Sequence, residues 1–336
     1  MKVAPDDFLQ RREEIEAPPQ IDRFSSLRRM ATDKRRRFVI SMGGGGVPAL
    51  CGNTALAKLL EELDLRDHIA EIWGTSAGAI VGGGWASGTS ADRLREILCA
   101  LRVKRMLDVD WFRLVRGVLF RRFGSNYPDA ILRGGPFHKA MQSALSVKNI
   151  EDCKIPFRCI ACTDDSSGRR KIFREGPLAV AISASMSLPG FLLPRDADGS
   201  PQHGFFDGGL MEKTPLFSPV ADHASLGDER ELLILGAYFG THQVDPAQGF
   251  IERFLVTIDA LSEHLWEHQQ LETSRQAGVT TLMVDPHIEC DSLLFDFARI
   301  ESNYLQSREA FKEKLQNAKI ALTLGSSCGP RHPCPV

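Results

Sequence analysis

The chain alternates short apolar runs with segments of helical period. Residues 38–42 form an apolar run rich in branched side chains, and four glycines end it. The leucines that follow recur at a helical spacing: Leu50, Leu56, Leu59, Leu60 and Leu63. A second apolar run at 69–73 breaks at glycine and serine, and a helical stretch follows at 79–86. This order of strand, helix, strand and helix predicts a parallel sheet with helices on its faces.

The later part of the chain continues the α/β pattern. Residues 157–162 and 170–173 are typical of two hairpin strands joined by the polar turn 164–168. Residues 231–238 are strongly apolar, as in a buried strand. Apolar spacing predicts two longer helices, at residues 250–277 and 300–322.

Three segments are predicted from charge and composition. Residues 1–37 are mostly charged and end in the basic run 34–37, so we expect a flexible N-terminal arm. Residues 38–325 are expected to form one catalytic domain, because no Gly/Ser-rich linker divides them. Residues 326–336 are a tail of glycine, proline and cysteine.

Composition and charge narrow the class of protein. With 43% apolar and 25% charged residues the chain is typical of soluble globular proteins. Its net charge is -2, so the chain does not have the strongly positive electrostatic field that is typical of a dedicated nucleic-acid-binding protein. We therefore expect no nucleic-acid partner. The eight cysteines are scattered, and the Cys159–Cys162 pair lacks a second pair at zinc-finger spacing. No signal peptide or membrane-spanning run is apparent. We therefore expect a cytoplasmic protein.

The strongest chemical motif is G-x-S-x-G at residues 74–78. Gly74 and Gly78 permit a tight turn between strand and helix that exposes the hydroxyl of Ser76. The helix N-terminus adds amide donors and positive partial charge beside that hydroxyl. The motif therefore predicts a nucleophilic serine, although the same turn also suits a serine that only caps the helix.

Four glycines end the preceding strand and predict an oxyanion site. Parallel strands end at the same edge of a sheet, so this loop should lie beside Ser76 and direct amide groups toward a developing oxyanion. The predicted donors are Gly43, Gly44, Gly45 and Gly46. A dinucleotide site would use Gly44, Gly46 and Ala49, but the second strand ends without the acidic residue that binds ribose. A phosphate loop is excluded, because no G-K-[ST] follows.

Asp207 is the candidate base. It follows two phenylalanines and precedes Gly208 and Gly209, which predicts a tight turn shielded from water. A desolvated carboxylate is a stronger base than an exposed one. The alternatives are an aspartate bonded only to its own turn, and a Ser–His–Asp site that uses His203.

These ordered motifs resemble the patatin-like phospholipases. The resemblance rests on the glycine run, Gly74–Gly78, the block 184–191 and Asp207-Gly208-Gly209. It implies a three-layer α/β/α fold with a mainly parallel sheet and a Ser76–Asp207 dyad without histidine. It further implies that the chain cleaves fatty-acyl esters of phospholipids, lysophospholipids or related lipids through an acyl-serine, with no metal or other cofactor.

Two positions depart from the family pattern. Members usually carry a basic residue shortly after the glycines, where this chain has residues 47–49, and asparagine where it has Lys213. These departures keep open the alternative of a silent lipid-binding or regulatory module on the same fold. An acyltransferase, which transfers the acyl group to an alcohol, is a close variant of the hydrolase. The expected partner is lipid at a membrane or micelle surface, and activation by a protein or small molecule is compatible with the sequence.

Two further features are weaker candidates. The segment 102–123 combines seven basic and two acidic side chains with apolar residues at helical spacing, so it could dock on anionic lipid or simply pack on the domain. His264, Glu267 and His268 spell H-x-x-E-H, a zinc-protease pattern. Exposed histidines on an amphipathic helix explain that pattern better, so no metal site is predicted.

Overall fold

The computed structural model describes residues 23–100, 108, 130–194, 196, 198, 200, 203–240, 250–288 and 297–316. The strands in these ranges are β1 (Arg36–Met42), β2 (Glu71–Thr75), β3 (Ala130–Leu132), β4 (Phe157–Thr163), β5 (Arg170–Phe173), β6 (Gly190–Leu192), β7 (Phe205–Asp207), β8 (Glu231–Ala237) and β9 (Val279–Val284). The α-helices are α1 (Ser25–Thr32), α2 (Gly46–Glu62), α3 (Ala77–Ser87), α4 (Ala91–Ala100), α5 (Gly135–Ala144), α6 (Leu178–Ser185), α7 (Phe217–Leu226), α8 (Phe250–Ser274) and α9 (Ile300–Gln316).

The main sheet is mostly parallel, as predicted. Its strand order is β5-β4-β2-β1-β8-β9, and β7 also pairs with β4. The four contacts among β4, β2, β1, β8 and β9 are all parallel. The predicted hairpin of β4 and β5 is confirmed, and β7 is the second antiparallel neighbour of β4. β3 and β6 form a separate parallel pair.

Helices cover both faces of this sheet. Alternate side chains of each strand point to opposite faces, so Phe38 and Ile40 of β1 pack in the cluster that includes α1, α2, α3 and α9. Val39 of the same strand packs on the other face with Trp266 of α8 and Leu216 beside α7. The three-layer α/β/α architecture is therefore confirmed.

The fold begins earlier than predicted. Leu27 and Met30 of α1 are buried against the sheet, and β1 starts at Arg36, which pairs with Glu231 of β8. The prediction of a flexible arm is therefore wrong for residues 25–37, where a short apolar stripe lies among many charges. The remainder of that arm and the tail 326–336 lie outside the described residues, as does most of the basic segment 102–123.

Two element boundaries also differ from the predictions. β2 begins at Glu71 rather than at residue 69, because Ile69 closes the preceding short 3-10 turn with its amide. α8 ends at Ser274, and a turn leads to Gly278, whose φ of 75° is incompatible with a continuing helix. Within the described ranges, no helix combines the length and apolar character needed to cross a bilayer.

Candidate active site

Ser76 lies on a strained turn between β2 and α3. Its φ of 53° and ψ of -119° are unfavourable for a residue with a Cβ atom. The turn closes tightly because Gly78 lies against the backbone of β1, where an added Cβ would overlap the carbonyl oxygen of Met42. The predicted strand-to-helix turn at Gly74–Gly78 is therefore present, and it presents Ser76 at the N-terminus of α3.

The sheet register brings Asp207 to Ser76. Thr75 at the end of β2 pairs with Ile160 of β4, and Asp207 at the end of β7 pairs with the next residue, Ala161. Since β5 occupies the other edge of β4, β2 and β7 share one edge and meet end to end there. The Ser76 and Asp207 side chains line the same pocket, where the Ser76 hydroxyl lies near enough to lower the pKa of the Asp207 carboxyl group. Two residues far apart in the chain thus meet through their common neighbour strand.

Asp207 is a buried carboxylate without a cationic neighbour among the described residues. Its side chain accepts a hydrogen bond from the Gly209 amide at 2.7 Å. Burial raises the pKa of Asp207 to about 6, and the nearby Ser76 hydroxyl and the Gly209 amide only partly oppose the rise. Gly208 packs against the carbonyl of Ile160, which leaves no room for a side chain. Asp207 is therefore bonded to its own turn and also lies beside Ser76 in the pocket.

Two serines support the dyad from the block 184–191. Ser185 Oγ accepts a hydrogen bond from the Ser76 amide at 2.9 Å and donates to the carbonyl of Ile160. The Ser187 carbonyl accepts the Asp207 amide at 2.8 Å. The block 184–191 was part of the family resemblance in the sequence, but nothing in the sequence predicted a role for Ser185 or Ser187. Because Ser185 and Ile160 lie in different elements, only the folded structure shows that the strained turn is held from outside.

The structure of the glycine loop differs from the predicted oxyanion site. Gly44, Gly45 and Gly46 line the same pocket as Ser76, whereas Gly43 packs behind the loop against Thr214. The Gly44 amide already donates to the Lys213 carbonyl at 2.8 Å, so the prediction that it faces an oxyanion is wrong. α2 begins at Gly46, and the first amides of a helix have no intrahelical acceptor. The amides available at this site are those at the start of α2.

The dyad opens into an apolar pocket of about 210 Å³. Its wall contains aliphatic and aromatic side chains from several elements: Ile80, Leu132, Phe137, Met186, Leu188, Phe191, Leu192 and Ile258. The N-termini of α2 and α3 both reach this pocket, and each contributes positive partial charge. A long apolar group can therefore bind beside a site that favours developing negative charge.

Besides Asp207, the described residues that line the pocket include two charged ones, Lys213 and Asp259. The Lys213 ammonium lies 2.6 Å from the Asp259 carboxylate and 3.6 Å from that of Glu263. Lys213 is 4% exposed, so this is a buried ion pair. Its Nζ also lies 5.6 Å from the centre of the Tyr238 ring, which stacks on Trp266 of α8. Lys213 thus links the segment after Asp207 to α8.

The alternative catalytic groups lie elsewhere. His203 is exposed, and no histidine occurs among the described residues that line the pocket. His264 and Glu267 are 82% and 63% exposed on α8, and His268 is also exposed. Cys159 and Cys162 are free thiols in β4. None of these residues lines the pocket that contains Ser76 and Asp207.

Comparison with known proteins gives sequence matches over the same region. The model of the family described as patatin-like phospholipase matches residues 40–220. The human patatin-like phospholipase domain-containing protein 6 is 28% identical over 193 residues, which are 57% of this chain and 13% of that protein. An uncharacterized NTE family protein of Mycobacterium tuberculosis is 30% identical over 188 residues, 55% of this chain and 46% of its own length. The chain thus covers less than half the length of these relatives.

Solved structures are more distant. VipD from Legionella pneumophila aligns with a TM-score of 0.41 at 14% identity, over 83% of this chain and 67% of that one. Human GIVD cytosolic phospholipase A2 aligns with a TM-score of 0.38 at 13% identity, over 90% of this chain and 64% of that one. These similarities are too low to add to the assignment. The family match covers more than half of the sequence and includes the glycine loop, Ser76 and Asp207. The chain belongs to the patatin-like phospholipase family.

Proposed function

We propose that this chain hydrolyses fatty-acyl esters of phospholipids, lysophospholipids or related lipids through Ser76 and Asp207. The observation that carries the proposal is that Ser76 lines one pocket with Asp207, a buried carboxylate with a pKa of about 6 whose ionised form the Ser76 hydroxyl stabilises. Such a carboxylate is ionised at neutral pH yet accepts a proton more readily than an exposed one. Membership of the patatin-like phospholipase family supports the same chemistry.

Acylation begins when Asp207 accepts the proton of the Ser76 hydroxyl. The oxygen then forms a bond to the carbonyl carbon of the ester, and the electrons of the carbonyl double bond move to its oxygen. We assign the amides of Gly45 and Gly46 to this oxyanion, together with the positive ends of α2 and α3. Collapse of the intermediate breaks the bond to the alcohol, which leaves with the proton from Asp207. Ser76 then carries the acyl group.

Deacylation repeats these steps with water. Asp207 accepts a proton from water as the water oxygen attacks the acyl carbon, and the fatty acid is released when the proton returns to Ser76. A carboxylate that both accepts and returns a proton suits an alcohol leaving group better than an amine. We therefore propose esters rather than peptides as substrates.

The apolar pocket supports the choice of a lipid substrate. Side chains such as Leu132, Phe191 and Leu192 offer a long acyl chain an environment without water. We place the acyl chain along this wall, with its carbonyl at Ser76. Because such substrates are aggregated, we propose that the protein meets them at a membrane or micelle surface.

The test combines turnover with covalent labelling. Purified protein is incubated with a nitrophenyl ester and with a fluorescent phospholipid, and a fluorophosphonate probe is mapped by mass spectrometry. We expect turnover of both substrates and a label on Ser76, and we expect Ser76→Ala to lose both. Thr75→Val is the matched control, because its neighbouring hydroxyl is buried and has no hydrogen-bond partner among the described residues. This variant should keep both turnover and label.

Two outcomes distinguish the alternatives. Equal rates for wild type and Ser76→Ala would end the proposal and favour a silent lipid-binding module on the same fold. Release of an acylated alcohol in place of fatty acid, when alcohol is supplied with lipid, would redefine the chain as an acyltransferase that uses the same dyad.

A further inference from the structure

One peptide bond of the glycine loop is held from two opposite sides. The Gly43 carbonyl accepts a hydrogen bond from Nδ2 of Asn53 at 2.9 Å. The N–H of the same peptide unit, that of Gly44, donates to the Lys213 carbonyl at 2.8 Å. The carbonyl and N–H of a trans peptide point in opposite directions. A rotation of this peptide would therefore break both bonds.

Asn53 is an unusual residue in its position. It is fully buried in α2, and its Nδ2 also donates to the Ala49 carbonyl at 2.8 Å. Both contacts are carbonyl oxygens, so only the amide nitrogen can occupy this place. The Asn53 Oδ1 is buried and has no hydrogen-bond partner within the described residues. A buried polar atom without a partner destabilises a fold, so the helix alone does not explain why asparagine is present.

Lys213 holds the other side of the peptide through its backbone. Its side chain is buried and ion-paired with Asp259 of α8, which restricts where its carbonyl can lie. The loop is therefore held between α2, which carries Asn53, and a segment anchored to the pocket wall.

The clamped peptide directly precedes the amides assigned to the oxyanion. Gly44 lies so close to the nucleophile that an added Cβ would be 3.1 Å from the Ser76 Cβ. The next residue, Gly45, has a φ of 139°, a conformation that favours glycine, and α2 begins at Gly46. The orientation of the Gly43–Gly44 peptide thus determines how the chain enters α2 and where the next amides point.

We propose that Asn53 is a positioning residue that acts with the Lys213 carbonyl to hold the oxyanion donors of Gly45 and Gly46 toward Ser76. This inference rests on the proposed function, because it concerns the same reaction. Asn53 does not line the pocket and acts only through the loop. Its removal leaves the nucleophile, the base and the acyl-chain wall in place.

The test is a kinetic comparison of Asn53→Leu with Thr54→Val. Leucine has nearly the size of asparagine but no donor. Thr54 is equally buried on the same helix, and within the described residues its hydroxyl bonds only to the Leu50 carbonyl of that helix at 2.7 Å. For Asn53→Leu we expect kcat to fall about 10- to 100-fold with KM within about threefold, since misplacing oxyanion donors weakens interactions formed in the transition state. Thr54→Val should keep the kcat of wild type.

A pH profile separates positioning from general damage. The acid limb of kcat/KM should stay at the same pH in Asn53→Leu, because the clamp does not contact Asp207, whereas a disordered site would move it. Asn53→Ala is measured in parallel, because alanine favours helix and keeps the variant soluble if leucine does not fit. The same fall in kcat is expected for it.

The outcomes distinguish this inference from the proposed function. Wild-type kcat in Asn53→Ala, an equal loss in Thr54→Val, or a shifted acid limb would overturn the positioning role while Ser76-dependent turnover upholds the proposed function. A wild-type protein without turnover would overturn both.

Discussion

Two buried carboxylates lie at opposite ends of β2 and have different neighbours. Glu71, at the start of the strand, forms ion pairs with Arg37 at 3.1 Å and Arg158 at 3.0 Å, and accepts the indole N–H of Trp73 at 2.7 Å. Asp207, beside the end of the strand, accepts a hydrogen bond from the Gly209 amide and lies near the Ser76 hydroxyl, with no cation beside it within the described residues. Burial raises the pKa of both groups, but the arginines oppose that rise only at Glu71.

The difference shows what makes a buried acid a base. Positive neighbours stabilise the ionised form of Glu71 and hold it in a structural ion pair. Glu212 is a third case, because Arg170 and the amides of Leu216 and Ser218 surround its carboxylate. Burial raises the pKa of Glu212 as well. What sets Asp207 apart is that no cation lies beside it among the described residues and that it lines the pocket with Ser76.

The largest expected effect is on the rate of Asp207→Asn. An amide cannot accept the Ser76 proton, so kcat should fall by about 10²- to 10⁴-fold, the usual contribution of a general base. Turnover of a nitrophenyl ester at pH 8 measures it. If Glu71→Gln loses as much activity as Asp207→Asn, the proposed difference between a catalytic Asp207 and a structural Glu71 is wrong.

Glu71→Gln should affect stability rather than rate. Removing one member of a buried ion pair leaves guanidinium groups uncompensated, so we expect a loss of about 3 kcal/mol in the free energy of unfolding. Urea unfolding at pH 7 measures it. Glu231→Gln is the matched control, because it breaks the more exposed Arg36–Glu231 pair of a neighbouring strand. Glu231→Gln should lose less than about 1 kcal/mol in the free energy of unfolding. An equal loss in both variants would contradict the assignment of Glu71 to a buried, stabilising ion pair.

Asp207→Asn should be more stable than wild type at neutral pH. The pKa of Asp207 rises from 3.8 to about 6 on folding, so its contribution to stability is fully present below pH 4 and is lost as pH rises through about 6. This shift corresponds to about 3 kcal/mol. Unfolding of both proteins at pH 4 and pH 7 should therefore show a gap in favour of the variant only at the higher pH. A gap that does not change with pH would contradict the buried, unpaired carboxylate.

The smallest expected effect is on the pH dependence of wild-type turnover. Since only the ionised form of Asp207 accepts a proton, kcat/KM should fall to half near pH 6, the pKa of the buried group. Below that it should fall about tenfold for each pH unit. A stopped assay from pH 4.5 to 8 measures this limb. A limb at pH 4 would place the base among exposed carboxylates.

The sheet, and the position of Ser76 and Asp207 in one pocket, were predictable because their signals are local. Gly74–Gly78 and Asp207-Gly208-Gly209 are short motifs that follow apolar strands, and parallel strands bring their ends to one edge. The end-to-end meeting of β2 and β7 beside β4 was not predictable, because it depends on the pairing of strands distant in sequence. The segment 25–37 was missed for another reason, since its charges obscured the small apolar stripe of α1.

The supporting contacts were missed because they are tertiary. Ser185, Asn53 and Lys213 act on partners more than a helical turn away or in other elements. The one signal available was Asn53 itself, an amide in an otherwise largely apolar helix. Lys213 was noted as a departure from the family pattern, and the structure shows that its backbone restrains the glycine loop.

The conformation of Ser76 has a consequence for how this site can change over time. At a φ of 53° and a ψ of -119°, glycine would occupy the turn without the steric conflict that a Cβ atom creates. Strain of this kind typically amounts to about 1–3 kcal/mol. Replacement of Ser76 by glycine would therefore both remove the hydroxyl that the proposed reaction needs and release the backbone strain. Where the reaction is no longer under selection, we expect glycine to replace serine at this position. Serine is therefore the more strained residue in this turn, and the proposed role of its hydroxyl as nucleophile gives a reason for its presence.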